Sequence, residues 1–404
     1  MHDVAIVSAV RTPIGNFGGG LKDLSAAALG EIAARAAIER AGLAPEQVDE
    51  VVFGCARQAG VGPNIARQIG WRSDVPQEAP AFTVNKACGS GMKALTLAAA
   101  SIMLGENQVV LAGGVEQMSQ VPYLLMGARW GYRLGNGTLE DANYRDGYDC
   151  PLSDMVMGET VDRLAEEYGI TREMQDAFAV ESHRKTVAAW EAGAFGAEVV
   201  PVEIKERHKR SGGISEAAVT VFDRDERPRA DSTVEKLARL STVFRKGDEG
   251  GTITAANASG ITDGAAALVL MAGDRARSLG IAPLAYLVGF ASAGVHPARM
   301  GLGPVPATRK LLAQIGLTLA DIDLIELNEA FAAQVLIVER ELDWDASRRN
   351  VHGGAVALGH PTGCTGARIV VTLLHALRRR DAALGLATLC ISGGLGMALI
   401  VRRA

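Results

Sequence analysis

The chain has 404 residues, 48% of them hydrophobic and 22% charged, with 47 glycines and five cysteines. That length suggests two or three domains, each able to bury its own core, and that balance excludes a disordered, collagen-like or disulfide-scaffold protein. With 41 basic against 46 acidic residues the net charge is −5, so neither nucleic acid nor an anionic membrane surface is an expected partner. The cysteines, Cys55, Cys88, Cys150, Cys364 and Cys390, are odd in number and show no C-x-x-C spacing. They read as free thiols in a reducing compartment. The opening Met1-His2-Asp3 lacks the basic region of a secretion signal, and no apolar run is expected to reach the roughly 18 residues of a membrane span. A cytoplasmic location follows as the expectation.

In chain order, Val4–Val7 reads as a strand, followed by a glycine-rich loop over Gly15–Gly20. A helix is expected over Leu24–Ala41, with Gly42 as its stop. Val48–Phe53 reads as a buried strand, a helix should begin near Cys88 and run to Leu104, and Val109–Ala112 reads as the next strand. Alternation of this kind argues for an α/β sheet with parallel strands. The middle, roughly 119–258, carries more charge, including a basic run over Lys205–Arg210 and a Pro/Arg/Asp cluster over Asp223–Asp231. It reads either as a solvated insertion of helices and loops or as a lid over an anionic ligand.

After about residue 284 the α/β pattern returns. Gly316-Leu317, Ile322-Asp323 and Ile325 repeat Gly42-Leu43, Val48-Asp49 and Val51 at a constant offset of 274, and Arg309 repeats Arg35. The same offset carries Cys88 onto the turn Thr362-Gly363-Cys364-Thr365-Gly366, which is similar to Cys88-Gly89-Ser90-Gly91. Two similar halves are expected, with their turns facing across a pseudo-twofold axis, where α/β folds bind ligands.

Four segments carry residue types suited to chemistry. Cys88 lies in Asn85-Lys86-Ala87-Cys88-Gly89-Ser90-Gly91. A thiol at a strand-to-helix turn meets unsatisfied helix N–H groups, and the helix dipole is expected to lower its pKa. His360 ends the loop Gly353–Gly359 and is placed to activate a thiol. Cys390 precedes Ser392-Gly393-Gly394 and could move a proton to or from carbon. Asn328, in Asn328-Glu329-Ala330-Phe331, follows the strand Leu324–Leu327 and could hold a water or a carbonyl. Each also has a plain structural reading, as a small buried Cys, a structural His or an Asn helix cap.

These four segments, in this order, resemble those of the thiolases, the acyl-CoA acyltransferases. Ser8–Gly15, Gly113-Gly114-Val115-Glu116-Gln117-Met118-Ser119, Asn257–Ala266 and Met300–Pro306 resemble further family blocks, so the resemblance extends over nearly the whole chain. It implies an α/β thiolase fold: two similar βαβαβαββ-type halves in five layers, α-β-α-β-α, with an inserted loop domain. The implied division is 1–118 plus 262–283 for the first half, 119–261 for a loop domain that binds coenzyme A, and 284–404 for the second half.

The resemblance implies that Cys88 attacks the 3-oxo carbon of a 3-ketoacyl-CoA and becomes acylated, and that a second CoA thiol takes the acyl group. Run backwards, the same steps join two acetyl-CoA in a Claisen condensation. His360 would activate Cys88, and Cys390 would serve as acid and base at the α-carbon. His360 and an Asn328-held water would bind the enolate oxygen, and the backbone N–H groups of Cys88 and Ser392 the tetrahedral oxyanion. Arg229, Ser259, Phe244, Met157 and Phe331 match contacts to coenzyme A. No metal or permanent cofactor is implied; coenzyme A is a substrate, and a homodimer or homotetramer is expected. The sequence departs at Ser392, where many thiolases have a glycine whose backbone angle would strain a serine, and at Val156, Cys364 and Thr365. The alternative reading is a non-catalytic acyl-CoA-binding protein of the same fold.

Overall fold

The computed structural model describes residues 2–404 except 206–208, 211–212 and 215–218. The basic run Lys205–Arg210 therefore lies partly outside the described residues. The first half is built from β1 (Val4–Arg11), α1 (Ala26–Arg40), β2 (Glu50–Gly54), α2 (Ile65–Arg72), β3 (Ala81–Val84), α3 (Ser90–Leu104) and β4 (Val109–Gln117). After an insertion that contains α4 (Met157–Glu167) and α5 (Arg172–Glu191), β5 (Thr262–Ala272) returns to the same sheet. The second half follows with β6 (Ala285–Gly294), α6 (Pro304–Ile315), β7 (Leu324–Leu327), α7 (Ala332–Leu342), α8 (Thr362–Arg379), β8 (Leu384–Ile391) and β9 (Leu395–Arg403).

The strand order is β1-β5-β4-β2-β3 in the first half and β6-β9-β8-β7 in the second. The two orders correspond, and a single parallel bridge, Ile325 to Arg349, stands where β3 pairs with β2. The repeat read at an offset of 274 is therefore a repeat of topology. The two half-sheets join through a short pairing of β1 with β6, Ala5 to Tyr286 and Ile6 to Ala285. Only the β2–β3, β2–β4 and β7–β8 pairs are parallel. The other pairs of this sheet are antiparallel, so the expected parallel sheet is a mixed one. The long returns β5 and β9 insert beside β1 and β6 as antiparallel neighbours, which alternation alone does not announce.

Three apolar clusters define the layers. One joins the inner faces of both half-sheets to α3 and α8, through residues such as Met92, Leu95, Ala112, Leu268, Val370, Leu389 and Leu399. A second packs α1 and α2 on the other face of the first half-sheet, and a third packs α6 and α7 on the other face of the second. The order is α-β-α-β-α, as expected. The segment Ala87–Leu104 is, against expectation, long and apolar enough to cross a membrane by length and composition. Here its apolar character is explained by its place in the central layer, where both sides of α3 face protein.

Element ends follow local chemistry. The Ser25 hydroxyl caps α1 by accepting from Ala28 N at 3.2 Å, so the helix starts two residues after the expected Leu24. β4 runs five residues past the expected Ala112. Its Gly113 and Gly114 lie so close to the Ala266 and Gly363 carbonyls that no side chain would fit. The middle segment is not helix and loop alone: it adds short antiparallel pairs, Tyr123–Leu125 with Leu139–Asp141 and Asp149–Cys150 with Met155–Val156.

Candidate active site

α3 and α8 meet in the central layer at their N-terminal turns. A side chain at Gly91 would meet Ala367 N at 2.7 Å and Gly363 O at 2.9 Å. The Cys88 turn and the His360 loop are thereby brought to the same end of both helices. α3 begins at Ser90 rather than at Cys88, which leaves Cys88 in a tight turn between β3 and the helix. Ala87 holds φ +44°, an uncommon angle for a residue with a side chain. The turn is fixed by Ala87 N donating to Asn85 Oδ1 at 3.0 Å, Lys86 N to Ser90 Oγ at 2.8 Å and Ser90 Oγ to Ala87 O at 2.7 Å. Gly89 packs directly on Ile391, beside Cys390, where a Cβ would collide.

His360 is buried, with its backbone N–H donated to Gly260 O at 3.0 Å. The Thr365 hydroxyl donates to Pro361 O at 3.0 Å, so it accepts from His360 Nδ1 at 2.6 Å. These partners assign the Nδ1–H tautomer and leave Nε2 unprotonated. Asn328, fully buried at the end of β7, places its Nδ2 3.4 Å from that Nε2. Its Oδ1 has no partner among the described residues. Cys390, the penultimate residue of β8, is buried, and Ser392 follows just past the strand end.

A cavity of about 300 Å³ is lined by Cys88, His360, Cys390 and Ser392. Met157, Phe244, Ser259 and Phe331 line it as well. The Phe244 and Phe331 rings meet edge to face at 6.0 Å, and Gly158 leaves room for Phe244. Two expected residues do not line the cavity: Asn328, which reaches the site only through His360 at 3.4 Å, and Arg229. The Arg229 side chain is exposed, its backbone N–H goes to His183 Nδ1 at 3.1 Å, and it does not line the cavity. Arg227, two residues earlier, does, with Nε and Nη2 donating to the carbonyls of Val356, Ala255 and Ala258. Burial and the nearby charge of Arg229 hold Arg227 down to about 10.

The electrostatics overturn one expectation. Burial pushes the Cys88 thiol above the ordinary value. The backbone N–H groups of Ser392 and Cys88 and the charge of Arg57 oppose that rise without cancelling it. Burial also drives His360 down to about 3, so the resting pair is a thiol beside a neutral imidazole. Desolvation outweighs the helix dipole here because the turn is enclosed. Cys390 is raised further, by burial and by the neighbouring Cys88. Ser392 is not strained: the positive φ angles fall on Gly393 and Gly394, at +83° and +81°.

Glu116 lies in the Gly113–Ser119 segment, on β4. Its buried carboxylate accepts from Ala56 N, Arg57 N, Thr362 Oγ1, Gly363 N and Cys55 Sγ, tying the two halves together behind the cavity. Glu329 does similar work in the second half, accepting from Ser182 Oγ, Asn350 Nδ2 and Val356 N. Arg57, Tyr144 and Tyr148, which no sequence pattern singled out, also line the cavity, as does Arg227 from the Asp223–Asp231 cluster. The two arginines sit in no glycine-rich turn; the only signal was charge beside candidate blocks.

A paired-half α/β fold with two thiols, an imidazole and backbone donors in one cavity defines an acyltransferase of the thiolase class. The sequence matches the thiolase N-terminal domain over residues 4–274 and the thiolase C-terminal domain over 281–403. It is 53% identical over 404 residues to an acetyl-CoA acetyltransferase of Escherichia coli, covering 100% of both chains. The fold matches the crystal structure of the Bacillus anthracis acetyl-CoA acetyltransferase with a TM-score of 0.95 at 46% identity, covering 100% of this chain and 99% of that one. It also matches a human mitochondrial 3-ketoacyl-CoA thiolase in complex with CoA, with a TM-score of 0.94 at 40% identity, covering 100% and 98%. The chain belongs to the thiolase family and is a thiolase enzyme.

Proposed function

We propose that this thiolase cleaves 3-ketoacyl-CoA with coenzyme A to acetyl-CoA and a shortened acyl-CoA, and runs the reverse condensation of two acetyl-CoA, through an acyl-enzyme on Cys88. The observation that carries the reading is the convergence of Cys88, His360, Cys390 and Ser392 on one cavity, with Asn328 against His360. In the cleavage direction His360 Nε2 takes the thiol proton as Cys88 Sγ adds to the 3-oxo carbon. The backbone N–H groups of Cys88 and Ser392 receive the oxyanion. The C2–C3 bond then breaks, and its electrons pass to the acetyl-CoA enolate, whose oxygen faces His360 and an Asn328-held water. Cys390 gives its proton to the α-carbon. The Cys390 thiolate takes the proton of the incoming CoA thiol, which attacks the thioester. Cys88 leaves and recovers its proton from His360, closing the cycle.

The pKa shifts suit this sequence. A buried imidazole and a buried thiol stay neutral until an acceptor for the negative charge arrives, which protects the thiol between turnovers. Met157, Phe244, Phe331 and Ser259 would receive the pantetheine arm. Arg227 and, outside the cavity, Arg229 would face the phosphates. No permanent cofactor enters any step. In this reading the loop domain is 119–261, set between a first half of 1–118 plus 262–283 and a second half of 284–404.

A homodimer or homotetramer is part of the proposal, supported by the exposed edge strand β3 with Phe82 and by exposed Trp130 and Leu134 on the insertion. A cytoplasmic location fits five cysteines that are all free, and the proposed cleavage of 3-ketoacyl-CoA would place the enzyme in fatty-acid metabolism, including β-oxidation. A non-catalytic acyl-CoA-binding role is not favoured, because no member of the catalytic set is missing.

The test is CoA-dependent cleavage of acetoacetyl-CoA and 3-oxooctanoyl-CoA, with Cys88→Ala as control. The expected result is cleavage that falls about 10⁴-fold or more in the variant. Wild-type protein that binds coenzyme A but cleaves neither thioester would overturn the proposal in favour of the binding role.

A further inference from the structure

The reaction above makes no use of one buried cation in its own cavity. Arg57 is 5% exposed and lines the cavity with Cys88 and His360. Its guanidinium lies 5.3 Å from the Tyr148 ring centroid and abuts Gly147, where a Cβ would collide with Nη2. Its Nε is buried without a partner, and among the described residues no carboxylate or carbonyl accepts from the side chain. Glu116 does not neutralise it at contact range. That carboxylate receives the Arg57 backbone N–H at 2.9 Å, is occupied by four further donors, and makes no ion pair with the guanidinium.

A buried Nε–H without a partner, on a guanidinium whose remaining donors find no protein acceptor among the described residues, is costly unless a ligand uses it. The other demands for donors in the site are met elsewhere. The oxyanion faces the Cys88 and Ser392 backbone, and the arm of coenzyme A has its own apolar walls and Arg227. What remains is the acyl chain. The guanidinium carbon lies over the Tyr148 ring at 5.3 Å, Nη2 abuts Gly147, and Tyr144 lines the same cavity. A cation–π contact of this kind uses a face of the guanidinium and leaves its edge donors for a planar anion, which they can bind through parallel hydrogen bonds. Val156 adds no competing polar group to the same cavity.

We propose that Arg57 is a specificity-determining residue that receives a carboxylate at the far end of the 3-oxoacyl chain, so that the preferred substrates are thioesters of 3-oxo dicarboxylic acids. The proposal rests on the thiolase reading and deepens it. An uncharged chain of the same length leaves the cation unpaired and is the poorer substrate.

The experiment measures kcat/KM for thiolysis of matched pairs: 3-oxoadipoyl-CoA with 3-oxohexanoyl-CoA, and 3-oxooctanedioyl-CoA with 3-oxooctanoyl-CoA. The readout is the ratio, carboxylated over uncharged, in wild type, Arg57→Leu and Arg57→Lys. In wild type the ratio exceeds one for at least one pair. It falls about 10- to 100-fold in Arg57→Leu, and Arg57→Lys, which keeps the charge without the fork, restores part of it. A wild-type ratio below one in both pairs overturns the proposal. So does an unchanged ratio in folded Arg57→Leu, which would place Arg57 in support of the thiol or the fold. If Arg57→Leu does not fold, Arg57→Lys decides: a ratio equal to wild type in both KM and kcat overturns the bidentate contact. Cleavage of neither member of either pair, nor of acetoacetyl-CoA, by wild type would overturn the thiolase reading itself, which separates the two failures.

Discussion

At the residue scale, burial decides how the Cys88 thiol, the proposed nucleophile, behaves. Cys88 stands before a helix N-terminus, yet its thiol is raised because the enclosed turn withholds water from a thiolate. Reaction of Cys88 with iodoacetamide, followed residue by residue by mass spectrometry, is therefore expected to accelerate with pH and to be still accelerating at pH 9.0, the ordinary thiol value. The sign follows from a raised acid, whose reactive anion gains population only above its own shifted value. A rate that levels off near neutrality would mean a preformed thiolate–imidazolium pair instead. Asn328 acts through a different property. Its Nδ2 contacts His360 and its Oδ1 has no partner among the described residues, so Asn328→Ala removes a polar group without opening the fold at a helix or strand interior. Loss of about 10²- to 10³-fold in kcat with little change in KM is expected. A change confined to KM would place Asn328 in substrate binding alone.

At the element scale, the site depends on how closely two helices approach. α3 and α8 carry Cys88 and His360 at their leading turns, and glycines at the crossing admit the contact. Gly366 lies where a Cβ would collide with Met92 N, and Gly91 faces Ala367 N and Gly363 O. Gly366→Ala is expected to cost about 1–3 kcal/mol of stability by overpacking, and to lower kcat, because separating the helices separates the turns that carry Cys88 and His360. Gly247→Ala serves as the control: nothing lies within 4 Å of its Cβ position and its φ is ordinary, so both stability and kcat should stay near wild type. Equal effects of the two substitutions, by thermal melting and steady-state kinetics, would refute the crossing argument.

At the scale of the whole molecule, a buried ionic network fastens the insertion and the second half to the first strand. Arg11, fully buried on β1, donates to Glu198 at 2.6 Å and to Asp225 at 2.8 Å, and Thr372 of α8 also donates to Glu198. Trp190 of α5 completes the group by donating to Asp225 at 3.1 Å. Arg11→Met leaves two buried carboxylates without their cation. A loss of about 3–5 kcal/mol is expected by chemical denaturation. A loss below about 1 kcal/mol would show that the carboxylates simply protonate or hydrate.

Much of this was legible before the structure. The constant offset between halves, the four glycine-rich segments and their residue types are local properties of the chain, and Cys88, His360, Cys390 and Asn328 do converge. Helix and strand positions followed from periodicity, with errors where packing overrode it, as in β4, which runs on through Gly113 and Gly114. The antiparallel returns β5 and β9 and the β1–β6 junction were not legible, because pairing partners lie far apart in sequence.

The sequence by itself determined which chemical groups are available, where the chain turns and that it repeats, since glycine, cysteine and apolar spacing act within a few residues. Only the tertiary structure decided their state: that the Cys88 thiol is raised, that His360 is neutral, that Arg227 rather than Arg229 lines the cavity, and that Arg57 stands there without a side-chain partner among the described residues. Those outcomes depend on desolvation and on distances between residues hundreds of positions apart, which no local pattern encodes.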